Sequence, residues 1–393
     1  LNVHFLLRDL NMNDRTFVAE NRYRQAAQLG KADAQYNYAR MCELGDGAPL
    51  DCAEAARWYL LAAEQNHVQA QLALGYLYER GEGVTQSDSD AVHWYRRAAE
   101  NGDADAQYNL GVMLAFGQGL DPDYDQALSW CRKAAEQGHL EAQYTLGLMY
   151  ANGEGIEQDF DQAIYWYRLA AQAGSADAQY NLGVMYAFGQ GVERDNTQAF
   201  KWCQMAAEQG HVDAQHNLGS MYARGQGVEA DPFEALKWYR LAAKQGDSDA
   251  QYNLGSMYIK GENIPQDYVE ARKWWTMAAQ QGNAAAQYNL GVIYVFGYGV
   301  EQSDSEAVKW WSKAVEQGYA DAQYNLGGMY ALGRGVPKDY ISAYVWLSLP
   351  AGQGHEDAQR ILKSLENKMT PAQISTAKQN VERVCERLEK NIG

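Results

Sequence analysis

The chain has 393 residues, 47% of them hydrophobic, with a formal net charge of −17 and an isoelectric point near 4.9. That acidity argues against sequence-independent nucleic-acid binding, which rests on lysine and arginine neutralising phosphates, and favours basic or neutral partners. No apolar run approaches the length of a membrane-spanning helix, and the opening LNVHFLLRDL has neither a basic start nor a small-residue cleavage site.

The dipeptide Ala-Gln begins at 34, 70, 106, 142, 178, 214, 250, 286, 322 and 358, always 36 residues apart. Tryptophan keeps the same interval from Trp58 to Trp346. Such periodicity replaces the two or three separate cores that length alone would suggest with one continuous stack. Phe5 and Leu6 fall in the frame of Met113 and Leu114, so the sequence begins inside a unit. Without an initiating methionine a trimmed or processed chain is expected, and a removed signal peptide stays open. Residues 1–30 are expected to form a partial repeat: 14–30 match only a second helix, with Arg22 in place of tryptophan for a more polar outer face.

One complete unit reads AQYNLGVMLAFGQGLDPDYDQALSWCRKAAEQGHLE over 106–141. Ala106, Leu110, Met113 and Leu114 follow the spacing of one helical face, and the helix is expected to end at Phe116, before Gly117 and Gly119. A capping box then opens a second helix: Asp123 with Gln126 here, Asp51 with Glu54 and Ser303 with Glu306 elsewhere. That helix is expected to carry Ala127, Trp130, Ala134 and Ala135 inward and to stop at Gly138. Gly111 lies mid-helix, where glycine costs about 1 kcal/mol against alanine, a cost that close approach of a neighbouring helix would offset. Trp130 is expected to fill the space between the small residues, and Trp202 to share that core placement.

The pattern A-Q-Y-N-L-G-x-M-Y-x-x-G-x-G-V followed by D-x-x-x-A-x-x-W-Y-x-x-A-A-x-x-G resembles the Sel-one-like repeat (SLR), a 36-residue relative of the tetratricopeptide repeat, over about residues 15–360. The resemblance implies an all-α fold, an α/α right-handed superhelical solenoid of about nine helix pairs whose first helices line the concave wall. It also implies adaptor or scaffold work, commonly in secreted, periplasmic or membrane-associated bacterial proteins. One branch of that family staples each unit with a regular cysteine pair. This chain lacks that pair, so the β-lactam-related activity proposed for the branch is not expected here.

The array is expected over 31–357, followed by capping helices over 358–393. Thr370-Pro371-Ala372-Gln373 makes a capping box, after which Ile374, Ala377, Val381, Val384 and Leu388 line one side. This helix either covers the last layer of a monomer or dimerises the chain.

No chemistry-bearing constellation emerges. Of the seven histidines, His67, His139, His211 and His355 share one repeat position and sit at least two layers apart, so they cannot share a metal. His211 and His216 are five residues apart, outside ligand spacing on a helix. The GQG and GEG loops follow helices, not strands, and extend to no nucleotide fingerprint. Asp121-x-Asp123-x-Asp125 lacks the glycine and terminal glutamate of a calcium loop. Cys131 and Cys203 occupy equivalent positions two units apart, too far to bond. Cys42 and Cys52 either meet across one loop or remain free thiols. No catalytic residue, cofactor or metal is therefore expected.

What remains is surface. The first helices leave Tyr180, Asn181, Val184 and Phe188 away from the core side, and Tyr180 and Asn181 belong to ladders repeated through the array, Asn217 and Asn253 among them. Residues repeated in nearly every unit usually maintain a stack, whereas positions that vary better carry a binding site. Phe116, Phe188 and Phe296 stand where sister units carry Arg80, Asn152, Arg224 or Lys260. With Val184, they are the expected grip on a peptide or protein segment. The expected function is a noncatalytic protein-interaction scaffold. The alternatives are an inhibitor or immunity partner that plugs a toxin, and a hydrolase of cell-wall or β-lactam substrates, for which no site assembles.

Overall fold

The computed structural model describes residues 22–261 and 264–392, and every regular element among them is a helix. The chain divides into two compact units, with the boundary between Arg194 and Asp195. In the first, residues 22–28 are helical and are followed by Ala32–Leu44, Cys52–Glu64, Val68–Arg80, Asp88–Glu100, Ala104–Phe116, Tyr124–Glu136, Leu140–Asn152, Phe160–Gln172 and Ala176–Phe188. In the second the order is Asn196–Glu208, Val212–Arg224, Pro232–Lys244, Ser248–Lys260, Tyr268–Gln280, Ala284–Phe296, Asp304–Val315, Ala320–Leu332, Tyr340–Gly352, Glu356–Glu366 and Pro371–Ile392. The frame reading of Phe5 and Leu6 and most of the partial repeat lie outside the described residues.

Each first helix ends where glycine adopts positive φ: Gly117, at φ 67°, turns its amide to the Met113 carbonyl. The second loop glycine has a separate task. A Cβ on Gly119 would lie 2.5 Å from the Asp88 carbonyl carbon, because the loop rests on the start of the preceding repeat's second helix. Second helices are capped as expected, with Asp123 Oδ1 accepting from the Gln126 amide at 2.9 Å. The reciprocal arm of the box is not made. The Asp123 amide already donates to the Leu114 carbonyl at 2.9 Å, tying the cap back to the first helix, and equivalent bonds join Asp159 to Tyr150 and Asp267 to Tyr258.

The close approach expected at Gly111 is present, but its partner is not tryptophan. A Cβ there would meet Cys131 Sγ at 2.6 Å. In other repeats the facing group is a ring: Tyr95 against Gly75, Tyr167 against Gly147, Trp275 against Gly255 and Trp311 against Gly291. The Trp275 and Trp311 indoles donate at 3.0 Å to the carbonyls of Tyr252 and Tyr288, three residues before the glycine each covers. Trp130 and Trp202 are only half-buried, whereas Cys131 and Cys203 are buried. Successive helical residues point about 100° apart, so only one of the two can face the glycine. Trp130 and Trp310 lie at the edge of the interface, with Lys133 Nζ 3.8 Å above the Trp130 ring and Lys313 Nζ 4.5 Å above Trp310, whereas Trp94, Trp166, Trp238 and Trp274 at the same repeat position are buried.

Successive repeats are joined by the glutamine of the Ala-Gln pair, which is buried at every position from Gln35 to Gln323. Gln107 Nε2 donates at 3.1 Å to the carbonyl of Ala99, in the last turn of the preceding second helix. Its Oε1 accepts at 2.7 Å from Gln137 Nε2, at the end of its own repeat's second helix. Gln71, Gln251 and Gln287 make the same two kinds of bond. Position 173, which should supply the donor to Gln143, is alanine, and Gln143 Oε1 is buried without a partner among the described residues.

At the C-terminal end, Thr370 and Gln373 make the full reciprocal box at 2.9 and 3.3 Å. Ala377 and Met369 join a core with Ala343 and Leu347, and Ile374 and Val381 pack against it. Arg387 also reaches Glu316 at 3.1 Å.

Ala173→Gln is expected to complete the Gln143 site and raise unfolding free energy by about 1 kcal/mol, read from urea denaturation followed by circular dichroism. Gly255→Ala should lower it by about 1–3 kcal/mol, against the roughly 1 kcal/mol gain that helix propensity alone would give. The sign of that second change tests the Trp275 contact.

Candidate functional site

The first helices begin with a repeated joint that fixes what their remaining faces can do. His67, His139, His211 and His355 are N-caps, each Nδ1 accepting an amide three residues on, at 3.2, 3.1, 3.2 and 3.3 Å. The ladder tyrosine of the preceding repeat stacks on this residue: Tyr36 on His67 at 4.5 Å, Tyr108 on His139 at 4.8 Å and Tyr324 on His355 at 4.5 Å. The shared position of these histidines is thus a capping position, a role that the spacing argument had not assigned.

At one joint of the second unit the pair is exchanged, with histidine in the ladder and a carboxylate at the cap. His216 Nδ1 lies 3.1 Å from Asp247 Oδ1, which also accepts from the Ala250 amide at 2.5 Å. Burial pushes the Asp247 carboxyl up, but hydrogen bonds from His216 and the Ala250 amide outweigh it and hold the group below the usual carboxylate value.

The asparagine ladder is partly committed to this joint. Asn181 Nδ2 donates to the Tyr144 hydroxyl at 3.4 Å, and Asn253 Nδ2 lies 3.3 Å from His216 Nε2. Asn217 and Tyr180 are half-buried. The variable positions are placed differently. Phe116 and Phe188 are 75% and 74% exposed and Phe296 62%, each as the last residue of a first helix. Large apolar groups held in water in this way, at the fixed end of a rigid element, are available for contact.

Val184 is half-buried at the wall of a concavity of about 450 Å³ in the first unit, with Leu148, Asn152, Phe160, Tyr167 and Asn181 around it. The opening has a local cause. In the first two repeats Glu43 and Glu79 reach over to the hydroxyls of Tyr59 and Tyr95, at 2.5 Å each. Ala151 holds that place in the fourth repeat, leaving Tyr167 to line an open space. Burial raises the Tyr167 phenol far above its ordinary range, so it offers a hydrogen bond and no proton chemistry. Sequence reasoning named Val184 and Asn181 here, with Leu148 among the variable inner positions, but missed Phe160 and Tyr167; the signal was Ala151 against Glu43 and Glu79.

None of the five cysteines is in a disulfide, and the bond across the loop between Cys42 and Cys52 is not made. Burial pushes the Cys131 and Cys203 thiols up to about 12, which leaves no thiolate for nucleophilic chemistry. Among the described residues no cluster of histidine, cysteine and carboxylate could hold a metal ion. No helix among them is long and apolar enough to cross a membrane.

Paired helices repeating every 36 residues, with a glutamine-bonded stack and variable apolar helix ends, define the class: an α/α right-handed superhelical solenoid built for protein contact. The Sel1 repeat family model matches residues 32–67, 68–103, 104–139, 140–175, 176–211, 212–247, 248–283, 284–319 and 320–355, and the chain belongs to the Sel1 repeat family. Among solved structures it is similar to c5321, a protective antigen present in uropathogenic Escherichia coli strains and displaying an SLR fold. The two share 32% identity over 99% of this chain and 95% of that one, with a TM-score of 0.65. It is also similar to a Sel1 repeat protein from Oxalobacter formigenes, at 36% identity over 79% of this chain and 89% of that one, with a TM-score of 0.63. No curated protein matches the chain. The protein is an interaction scaffold of the Sel1-repeat kind.

The depressed Asp247 carboxyl lends stability that is present above its unfolded value, about 3.9, and is lost as pH falls through the lower folded one. Asp247→Ala should therefore unfold at lower urea than the wild type at pH 7, and the gap should close as pH is taken below the unfolded value. A gap that stays constant through the acid series would contradict the assignment.

Proposed function

We propose that the scaffold holds a protein or peptide partner through the first-helix ends and the concavity of its first unit. Phe116 and Phe188 supply exposed anchor area, while Val184, Leu148 and Phe160 form an apolar floor with Asn181 at its edge. The observation that carries this is the exposure of Phe116 and Phe188 at positions where sister repeats place Arg80 and Arg224. An aromatic that the stack does not use, held in water, gains most when a partner covers it. Phe296 offers the same kind of contact on the second unit. Tyr180, Asn217 and Asn253 belong to the same reading as polar contacts beside the anchors, with the stack holding part of their hydrogen-bonding capacity.

The partner is basic or neutral and is not nucleic acid, which the net charge of −17 supports. We assign residues 1–30 to a partial repeat, 31–357 to the array and 358–393 to a terminal cap on a monomer. Burial of Ala377 in the chain's own core, with Ile374 and Val381 packed against it, favours a cap over a dimerising helix. A secreted or periplasmic setting fits the similarity to a protective antigen.

Partners captured by the tagged wild-type chain and quantified by mass spectrometry should fall at least fivefold for the Phe116→Ala, Phe188→Ala double variant, with its thermal melt unchanged. Equal capture by the two proteins would remove this reading.

A further inference from the structure

In the second unit three aromatic rings form a column open to solvent. Tyr268 stacks on Tyr298 with centroids 5.1 Å apart, and Tyr298 on Phe296 at 5.5 Å, with 18° between planes at both contacts. Phe296 and Tyr298 are 62% and 41% exposed. The column exists because the loop after Ala284–Phe296 rests on the start of Tyr268–Gln280: a Cβ on Gly299 would stand 2.8 Å from Tyr268 Cβ.

The repeat shows what this place ordinarily holds. At the position of Tyr298 the sister loops carry Glu82, Gln118, Glu154, Gln190 and Gln226, all polar. One repeat further on, the pair equivalent to Tyr298 and Tyr268 is Arg334 and Asp304, joined by two bonds of 2.9 and 2.8 Å. These two positions therefore touch across the repeat junction, and in one case a guanidinium occupies it. At Tyr340, the sister of Tyr268 two repeats on, Lys338 Nζ lies 4.9 Å from the ring centroid. Among the described residues no cation is placed over Phe296, Tyr298 or Tyr268 in this way. Stacked rings present their electron-rich faces outward, and the chain around them is strongly acidic, with exposed Glu301 three residues beyond Tyr298.

We propose that the Phe296–Tyr298–Tyr268 column is a docking platform for an arginine side chain of a basic partner segment. The planar guanidinium adds a further layer to rings already parallel within 18°, which a lysine ammonium cannot do. The inference rests on the scaffold reading in one respect, that Phe296 faces a partner, and it adds the chemistry of what is gripped.

The test uses the full chain and a fluorescein-labelled peptide of alternating glycine and arginine, followed by anisotropy at physiological salt, with the glycine-lysine peptide as comparison. Saturable binding of the arginine peptide, at least fivefold tighter than the lysine peptide, is expected. Tyr298→Gln and Phe296→Leu introduce residues that sister repeats already carry at those places, as Gln118 and Leu332, so the stack is retained. Each should weaken arginine-peptide binding at least fivefold without moving the thermal melt. Should one of them shift the melt, the other decides. Absence of arginine-peptide binding, equal affinity for lysine, or undiminished binding by a normally folded variant would overturn the platform. Such a failure leaves the scaffold reading standing where partner capture still depends on Phe116 and Phe188 of the first unit.

Discussion

A single buried amide decides how each repeat meets the next. Gln107 lies in apolar surroundings and is 4% exposed, where an unpaired amide would cost about 1–3 kcal/mol. It escapes that cost only when the Ala99 carbonyl stands on one side and the Gln137 amide on the other, 3.1 and 2.7 Å away. Apolar contacts between small residues tolerate sliding; a hydrogen bond with two fixed ends does not. The alanines beside it, Ala98, Ala106 and Ala134, each fully buried, let the helices approach closely enough for the bonds to form. Spacing and register between neighbouring repeats thus follow from a polar group inside an apolar interface.

Within a repeat the matching constraint is the mid-helix glycine. It admits whatever follows the periodic tryptophan: tyrosine in some repeats, tryptophan in others, cysteine at Cys131 and leucine at Leu347. Side chains as different as cysteine and tryptophan can occupy that place because the void beside a glycine is filled from the other helix. The backbone repeats faithfully while the contents of the interface vary. Tyr95 brings Glu79 with it to satisfy its hydroxyl, and where the carboxylate is missing, as at Ala151, the space opens instead.

Much of this was legible beforehand. Strict spacing located both helices of every repeat, the glycine ends and the aspartate caps, because those features are local and each recurs with one physical cause. What stayed hidden depends on contacts between residues distant in sequence. The rotation of the second helix, which decides whether Trp130 or Cys131 faces Gly111, cannot be settled by counting, since both are apolar and adjacent. Ala-Gln was visible as a beat and its purpose was not, because an amide on an apolar face has the same composition whether it is buried or wet. The reciprocal capping arm failed for a similar reason: the Asp123 amide is taken by Leu114, a partner outside the helix it starts.

The candidate contact residues were reached from the opposite direction, from exceptions to the repeat. A position used by the stack answers to the same neighbours in every repeat, so its identity is held in common. A position facing solvent is released from that requirement, and an apolar residue there needs a cause outside the stack. Phe116 and Phe188 meet this condition, with polar counterparts in sister repeats and rings left open to water. His216 is the instructive opposite. It too departs from its tyrosine sisters, yet the change is answered inside the chain by Asp247, so that departure is explained by the stack. A departure points to a partner only when the chain itself has not already supplied one.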